Sequence, residues 1–129
     1  MSEAKNCSIG PGGEKFPLPT AEDDAAEFRR LAALASAERK KGKEVVVVVG
    51  LGFVGAVMAA VVADSTDRRG RSRKFVIGMQ RPSPRSYWKI PLLNRGVAPV
   101  TSEDPEVERI IERCVRRKKT LVATHIYDA

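Results

Sequence analysis

The apolar pattern changes period several times along the chain, and each change marks an element. Residues 1–19 show no period. Gly10, Pro11, Gly12 and Gly13, then Pro17 and Pro19, predict an irregular, flexible arm. From Thr20 the spacing becomes helical. Phe28, Leu31, Leu34 and Ala35 share one face, Thr20 and Asp23 form a capping pair, and Glu22 and Asp24 place acid in the first turn. Cations from Arg39 to Lys43 and a stop at Gly42 close a helix over residues 21–41.

Residues 45–49 are five valines in a row, a composition that predicts a strand buried on both faces. A glycine-punctuated turn at 50–52 leads into small and apolar residues suited to a helix over 53–63. A polar loop covers 64–73, a second strand 74–79, and a loop with two prolines 80–86. A short helix over 87–94 stops at Gly96, and 97–102 read as extended or irregular. Asp104 and Pro105 then start a helix whose apolar stripe is Val107, Ile110, Ile111, Cys114 and Val115. Glu103, Asp104, Glu106 and Glu108 crowd its start, and Arg116, Arg117, Lys118 and Lys119 crowd its end, as the helix dipole favours. A third strand at 120–126 follows. After the arm (1–19) and first helix (20–42), residues 43–129 therefore read β-α-β-α-β. The fold class is α/β: a Rossmann-type half of a doubly wound parallel sheet, with an extra N-terminal helix.

At 129 residues the chain holds about one domain. A truncated doubly wound sheet exposes apolar surface, so marginal stability is expected. Residues 45–63 carry no charge and satisfy the length of a membrane helix. The change from β-branched residues to a glycine turn and then to helix formers argues against a span, as do basic residues on both flanks. No membrane partner is expected. The formal charge of +7 favours an anionic partner. Cys7 and Cys114 are not a spaced pair, and Cys114 lies in the apolar stripe, which favours a buried thiol, a reducing compartment and a cytoplasmic protein. No basic region precedes an apolar run at the N-terminus, so it does not read as a signal peptide.

Gly50-Leu51-Gly52-Phe53-Val54-Gly55 fits the dinucleotide fingerprint G-x-G-x-x-G, placed between a strand and a helix as that chemistry requires. Gly50 permits the turn, Gly52 clears space for a pyrophosphate, and Gly55 lets helix and strand pack closely. The free N–H groups of the helix start face the phosphates. At the tip of the second strand, where a carboxylate usually holds the ribose hydroxyls, stands Gln80, followed by Arg81 and Arg85. Gln80 bears no charge to repel a 2′-phosphate, so NAD and NADP both remain open as cofactors. Asp64 and Asp67 precede the second strand and are not expected to hold the ribose.

From about Lys43 onward the chain resembles the UDP-glucose/GDP-mannose dehydrogenase family, the nucleotide-sugar dehydrogenases. The valine strand with Gly50-Leu51-Gly52-Phe53-Val54-Gly55 resembles the family's G-L-G-Y-V-G opening. Trp88-Lys89-Ile90, Leu93-Asn94-Arg95-Gly96 and Ala98-Pro99-Val100 resemble its K-I-x-x-(I/L)-N-x-G-x-x-P-I segment. Glu103-Asp104-Pro105 is similar to its E-P-G-L helix start, and Leu121-Val122-Ala123-Thr124-His125 to its L-x-A-T-T strand. The resemblance implies oxidation of a nucleotide sugar's C6 hydroxyl to a carboxylate with two NAD per substrate. It assigns Gly50, Gly52, Phe53, Val54 and Gly55 to the pyrophosphate and Gln80 and Arg81 to the ribose. Gln80 departs from the family's Asp. The family's nucleophilic cysteine segment, G-x-C-x-x-K-D-like, has no match here, so neither thiohemiacetal nor thioester can form on this chain. The expected protein is thus the cofactor-binding portion of such an enzyme, inactive alone, with a nucleotide sugar as partner only if further domains are supplied.

Two other readings compete. Basic runs at 68–74 and 116–119 raise nucleic-acid binding, but the second is accounted for by a helix end and neither is interleaved with aromatics. A hydrophobic edge strand at the end of the half-sheet, near Ile126, would invite homo-oligomerisation. His125 reads as packed or solvated, with no Ser or Asp arranged around it, and Tyr87 and Trp88 as core or lid residues.

Overall fold

The computed structural model describes residues 7–100 and 104–126. Glu103, part of the expected acidic cluster, lies outside the described residues, as do residues 1–6, 101–102 and 127–129.

The elements run β1 (Cys7–Ile9), β2 (Lys15–Pro17), α1 (Ala21–Lys40), β3 (Glu44–Val49), α2 (Phe53–Asp64), β4 (Lys74–Met79), α3 (Lys89–Asn94), α4 (Pro105–Glu112) and β5 (Leu121–Thr124). Between α4 and β5 the backbone widens into a π-helical turn, Arg113–Lys118. β3, β4 and β5 form one parallel sheet in that order, with Val47 beside Ile77 and Ile77 beside Val122. This is the βαβαβ half of a Rossmann-type sheet, as the period changes predict.

Local signals account for the helix ends. The Thr20 hydroxyl accepts from the Asp23 amide at 3.2 Å, and the Asp23 carboxylate accepts from the Thr20 amide at 2.8 Å. Asp104 caps α4 with Pro105 behind it. The π-helical turn ends at Lys119, whose left-handed backbone (φ 56°) lets the Thr120 amide donate to the Cys114 carbonyl.

The sheet carries helices on both faces. On one, Ala59, Ala60 and Ala63 of α2, Ile111 and Cys114 pack with Leu51, Val76, Leu93, Leu121 and Ala123. On the other, Leu31 of α1 covers Phe75, Ile77 and Met79, with Leu34, Val45, Val122 and Ile126 around them. The extra N-terminal helix therefore completes a three-layer sandwich. Glu38, buried near the end of α1, pairs with Lys43 at 2.7 Å and Lys41 at 2.9 Å and fixes the helix against the start of β3. Asp64, at the end of α2, takes Arg113 in a two-pronged pair (2.7 and 2.8 Å) and Lys118 at 2.9 Å, joining the two crossover helices.

Three expectations are corrected. Residues 7–17 of the expected irregular arm form the antiparallel hairpin β1–β2, because Gly13 (φ 87°) turns the chain and Phe16 buries itself. Ser8 then accepts from the Trp88 amide at 2.9 Å, and Glu14 grips Arg95 with both carboxylate oxygens. The valine strand is not buried on both faces: β3 is an edge strand, with Val47 44% and Val49 66% exposed. Its composition suits the centre of a sheet, but among the described residues β4 is its one partner strand. The exposed apolar edge therefore lies at β3 and not near Ile126, where the side chain of Asn94 covers β5.

The uncharged stretch 45–63 divides into strand, turn and a 12-residue helix. Among the described residues no helix is long and apolar enough to cross a membrane.

Candidate functional site

The turn between β3 and α2 is shaped by its glycines. Gly50 has φ 93°, a left-handed conformation that β-branched residues strongly disfavour. Gly55 lies so close to the strand that a Cβ there would fall 1.9 Å from the Gly50 carbonyl oxygen. Gly52 differs. It begins α2 in extended backbone (φ −70°, ψ −172°), no side chain caps the helix there, and an added Cβ would meet nothing within 4 Å. Open space thus lies over the first turn, where the leading N–H groups of a helix have no intrahelical acceptor. The side chains of Phe53 and Val54 stand out into solvent, 54% and 70% exposed, so these two residues offer backbone rather than a pocket wall.

Gln80 follows β4 directly, its amide donating to the Thr124 carbonyl at 2.9 Å. Its side-chain oxygen reaches back across the sheet top and accepts from the Leu51 amide at 2.8 Å. Leu51 is fully buried, and Gly78 makes room for it: a Cβ at Gly78 would sit 2.7 Å from the Leu51 side chain. Glycine turn and strand tip are therefore one unit, at the carboxyl ends of the parallel strands where open α/β sheets hold ligands.

The next residues form a tight loop. The Arg81 carbonyl accepts from the Ser83 amide (3.0 Å) and the Ser86 hydroxyl (2.8 Å), and the Ser83 and Ser86 hydroxyls lie 2.7 Å apart. The Trp88 indole donates to the Arg85 carbonyl at 2.8 Å. Arg81 and Arg85 are exposed, and neither forms an ion pair with a described residue. Gly50, Gly52, Phe53, Val54, Gly55 and Gln80 come together as the sequence suggests, and the chain then passes directly into the Arg81–Arg85 loop. The Gln80–Leu51 bond has no local signal, since 29 residues separate the partners.

The other chemistry-bearing residues serve the packing. His125 does meet an acid, contrary to expectation: Asp24 of α1 lies 2.7 Å from its Nε2, and the Tyr87 ring stands edge-on 6.1 Å away. Together with the Thr124–Glu27 hydrogen bond (2.6 Å), this ties α1 to the end of β5. Asp64 is committed to Arg113 and Lys118, which hold its carboxyl at about 2, below its ordinary value of 3.8. Burial raises the Cys114 thiol, which suits a packing residue rather than a nucleophile. The basic runs are partly neutralised by Asp67–Arg71, Glu44–Lys74 and Asp64–Lys118 pairs, and Arg116 donates to the Arg95 carbonyl. Among the described residues no cluster of His, Cys, Asp and Glu could hold a metal.

Fold and turn together define a Rossmann-type half-sheet with a dinucleotide fingerprint. Over 70% of its length the chain is similar to a solved structure, the NDP-N-acetyl-D-galactosaminuronic acid dehydrogenase from Methanosarcina mazei Go1, at 32% identity and a TM-score of 0.55. It spans only 18% of that chain. This likeness supports the resemblance to nucleotide-sugar dehydrogenases at the level of the broad class. No family model matches the chain, and no curated protein matches it.

Proposed function

We propose that this chain is the NAD(P)-binding part of a nucleotide-sugar 6-dehydrogenase, which oxidises the C6 hydroxyl of a UDP- or GDP-sugar to a carboxylate. The carrying observation is the glycine turn: Gly50 and Gly55 are required by the backbone itself, whereas Gly52 is not and leaves open space over the start of α2. That pattern fits a site kept clear for a pyrophosphate. The amides of Gly52, Phe53, Val54 and Gly55, at the positive end of α2, would hold the phosphates, and Gln80, Arg81 and Arg85 would surround the adenosine ribose. When bound, the nicotinamide supplies the hydride acceptor for the alcohol carbon. The similarity covers 18% of the dehydrogenase, and under this reading the sugar and the chemistry at its C6 would be handled by residues beyond the matched segment.

Calorimetric titration of the 129-residue chain with NAD and NADP tests the reading. At least one dinucleotide should bind, and Gly52→Asp should weaken it by at least about tenfold by placing a carboxylate against the phosphates. The variant should keep its fold, because Gly52 has a negative φ and room for a side chain. A folded wild-type chain that binds neither dinucleotide refutes the proposal.

A further inference from the structure

In the dinucleotide site proposed above, Gln80 would stand beside the ribose, and its orientation is fixed. Only the oxygen end of its amide can accept the Leu51 N–H, so the 2.8 Å bond turns the NH2 end the other way. That nitrogen has no partner among the described residues. No buried side-chain nitrogen or oxygen lacks a partner there, so it is not fully buried. A carboxylate at this place could spend one oxygen on Leu51 and offer the other to ribose hydroxyls. Gln80 commits its oxygen to Leu51 and turns its NH2 donors outward. Beside it stands the Arg81–Ser86 loop, stiffened by Pro82, Pro84 and the serine pair, which carries two arginines without carboxylate partners among the described residues. Outward NH2 donors beside cations without carboxylate partners suit an anion better than a pair of hydroxyls, which also need an acceptor.

We infer that the site selects a dinucleotide bearing a 2′-phosphate, with the Gln80 amide nitrogen and the Arg81 guanidinium as the determinants of that choice. The inference rests on the dinucleotide site proposed above and narrows its cofactor to the NADP class. Gln80 is a specificity residue with two faces: its oxygen braces the glycine turn and its nitrogen meets the phosphate. Arg81 supplies charge, and Arg85 of the same loop adds to it.

The test is parallel titration of the wild-type chain, Gln80→Glu and Arg81→Ala with NADP and NAD. Wild type should bind NADP at least about tenfold more tightly than NAD, the worth of one charge-assisted hydrogen bond. Gln80→Glu retains an acceptor for Leu51, so the turn stays braced, but its second oxygen repels the 2′-phosphate. It should reverse the preference. Arg81→Ala, on an exposed side chain, should weaken NADP and leave NAD unchanged. Equal binding, or tighter NAD binding, by the wild type overturns this inference and leaves the pyrophosphate site standing. Binding of neither dinucleotide removes both.

Discussion

The two edges of the sheet are built from similar residues and finished in opposite ways. At β5 the outward-facing backbone of Ala123 is fully engaged: its amide donates to the Asn94 side chain at 2.8 Å, and its carbonyl accepts from Asn94 at 3.1 Å and from Arg30 at 3.3 Å. One asparagine thus imitates a neighbouring strand. At β3 no such partner exists among the described residues. Glu44 and Gly50 donate their amides toward β4, so strand alternation turns the N–H and C=O groups of Val45, Val47 and Val49 outward. α2, which follows β3 directly, carries exposed apolar residues (Val54, Met58 and Val61) at helical spacing. A finished edge needs a polar mimic. An edge that continues a doubly wound sheet needs only apolar strand and helix, which is what β3 and α2 present.

Removing the mimic should have the largest effect. Asn94→Leu leaves both backbone groups of buried Ala123 without the asparagine. The expected loss is about 2 kcal/mol, from two hydrogen bonds and the partial desolvation of groups left unmatched. Chemical denaturation checks it, and a midpoint unchanged from wild type would show that water replaces Asn94 at no cost.

A smaller effect tests how the edges are joined. α2 leaves β3, the π-helical turn enters β5, and Asp64 links them through Arg113 and Lys118. Because the folded carboxyl is depressed from 3.8 to about 2, its stabilisation is complete above pH about 4 and is lost as the pH falls toward 2. The link should be worth on the order of 1–2 kcal/mol at neutral pH, given that the pair is partly solvated. Asp64→Asn should therefore flatten the acid limb of a stability–pH curve between those values and lower the plateau above it.

How far the sequence could be read follows the same line between local and distant partners. Thr20 with Asp23, and Asp104 with Pro105, announce helix starts because their partners lie within three residues. The glycine turn was legible because backbone conformation is a local demand. The five valines correctly marked a strand, but their apolar pattern describes the environment of a longer sheet, and which neighbours are present is not written in the strand itself. The hairpin escaped detection because its support comes from Trp88 and Arg95, about 80 residues away. His125 looked isolated for the same reason, since Asp24 reaches it from the far end of the chain. At position 80 the residue type was visible, yet the direction of its amide was not, because Leu51 sets it.

The smallest expected effect is the most direct reading of the open edge. Val49→Thr keeps the shape of the side chain and adds a hydroxyl at a position that is 66% exposed, so stability should change by less than about 0.5 kcal/mol. Hydrogen exchange on the same protein separates the two edges without relying on energies. The Ala123 amide, held by Asn94, should exchange slowly, and the Val47 and Val49 amides should exchange near the rate of unstructured peptide. Slow exchange at Val47 and Val49, joined to a Val49→Thr cost above about 1 kcal/mol, would mean that the edge is covered in solution. In that event the contrast between a finished β5 and an unfinished β3 would belong to the isolated chain, and the valine strand would sit in the two-sided burial that its composition specifies.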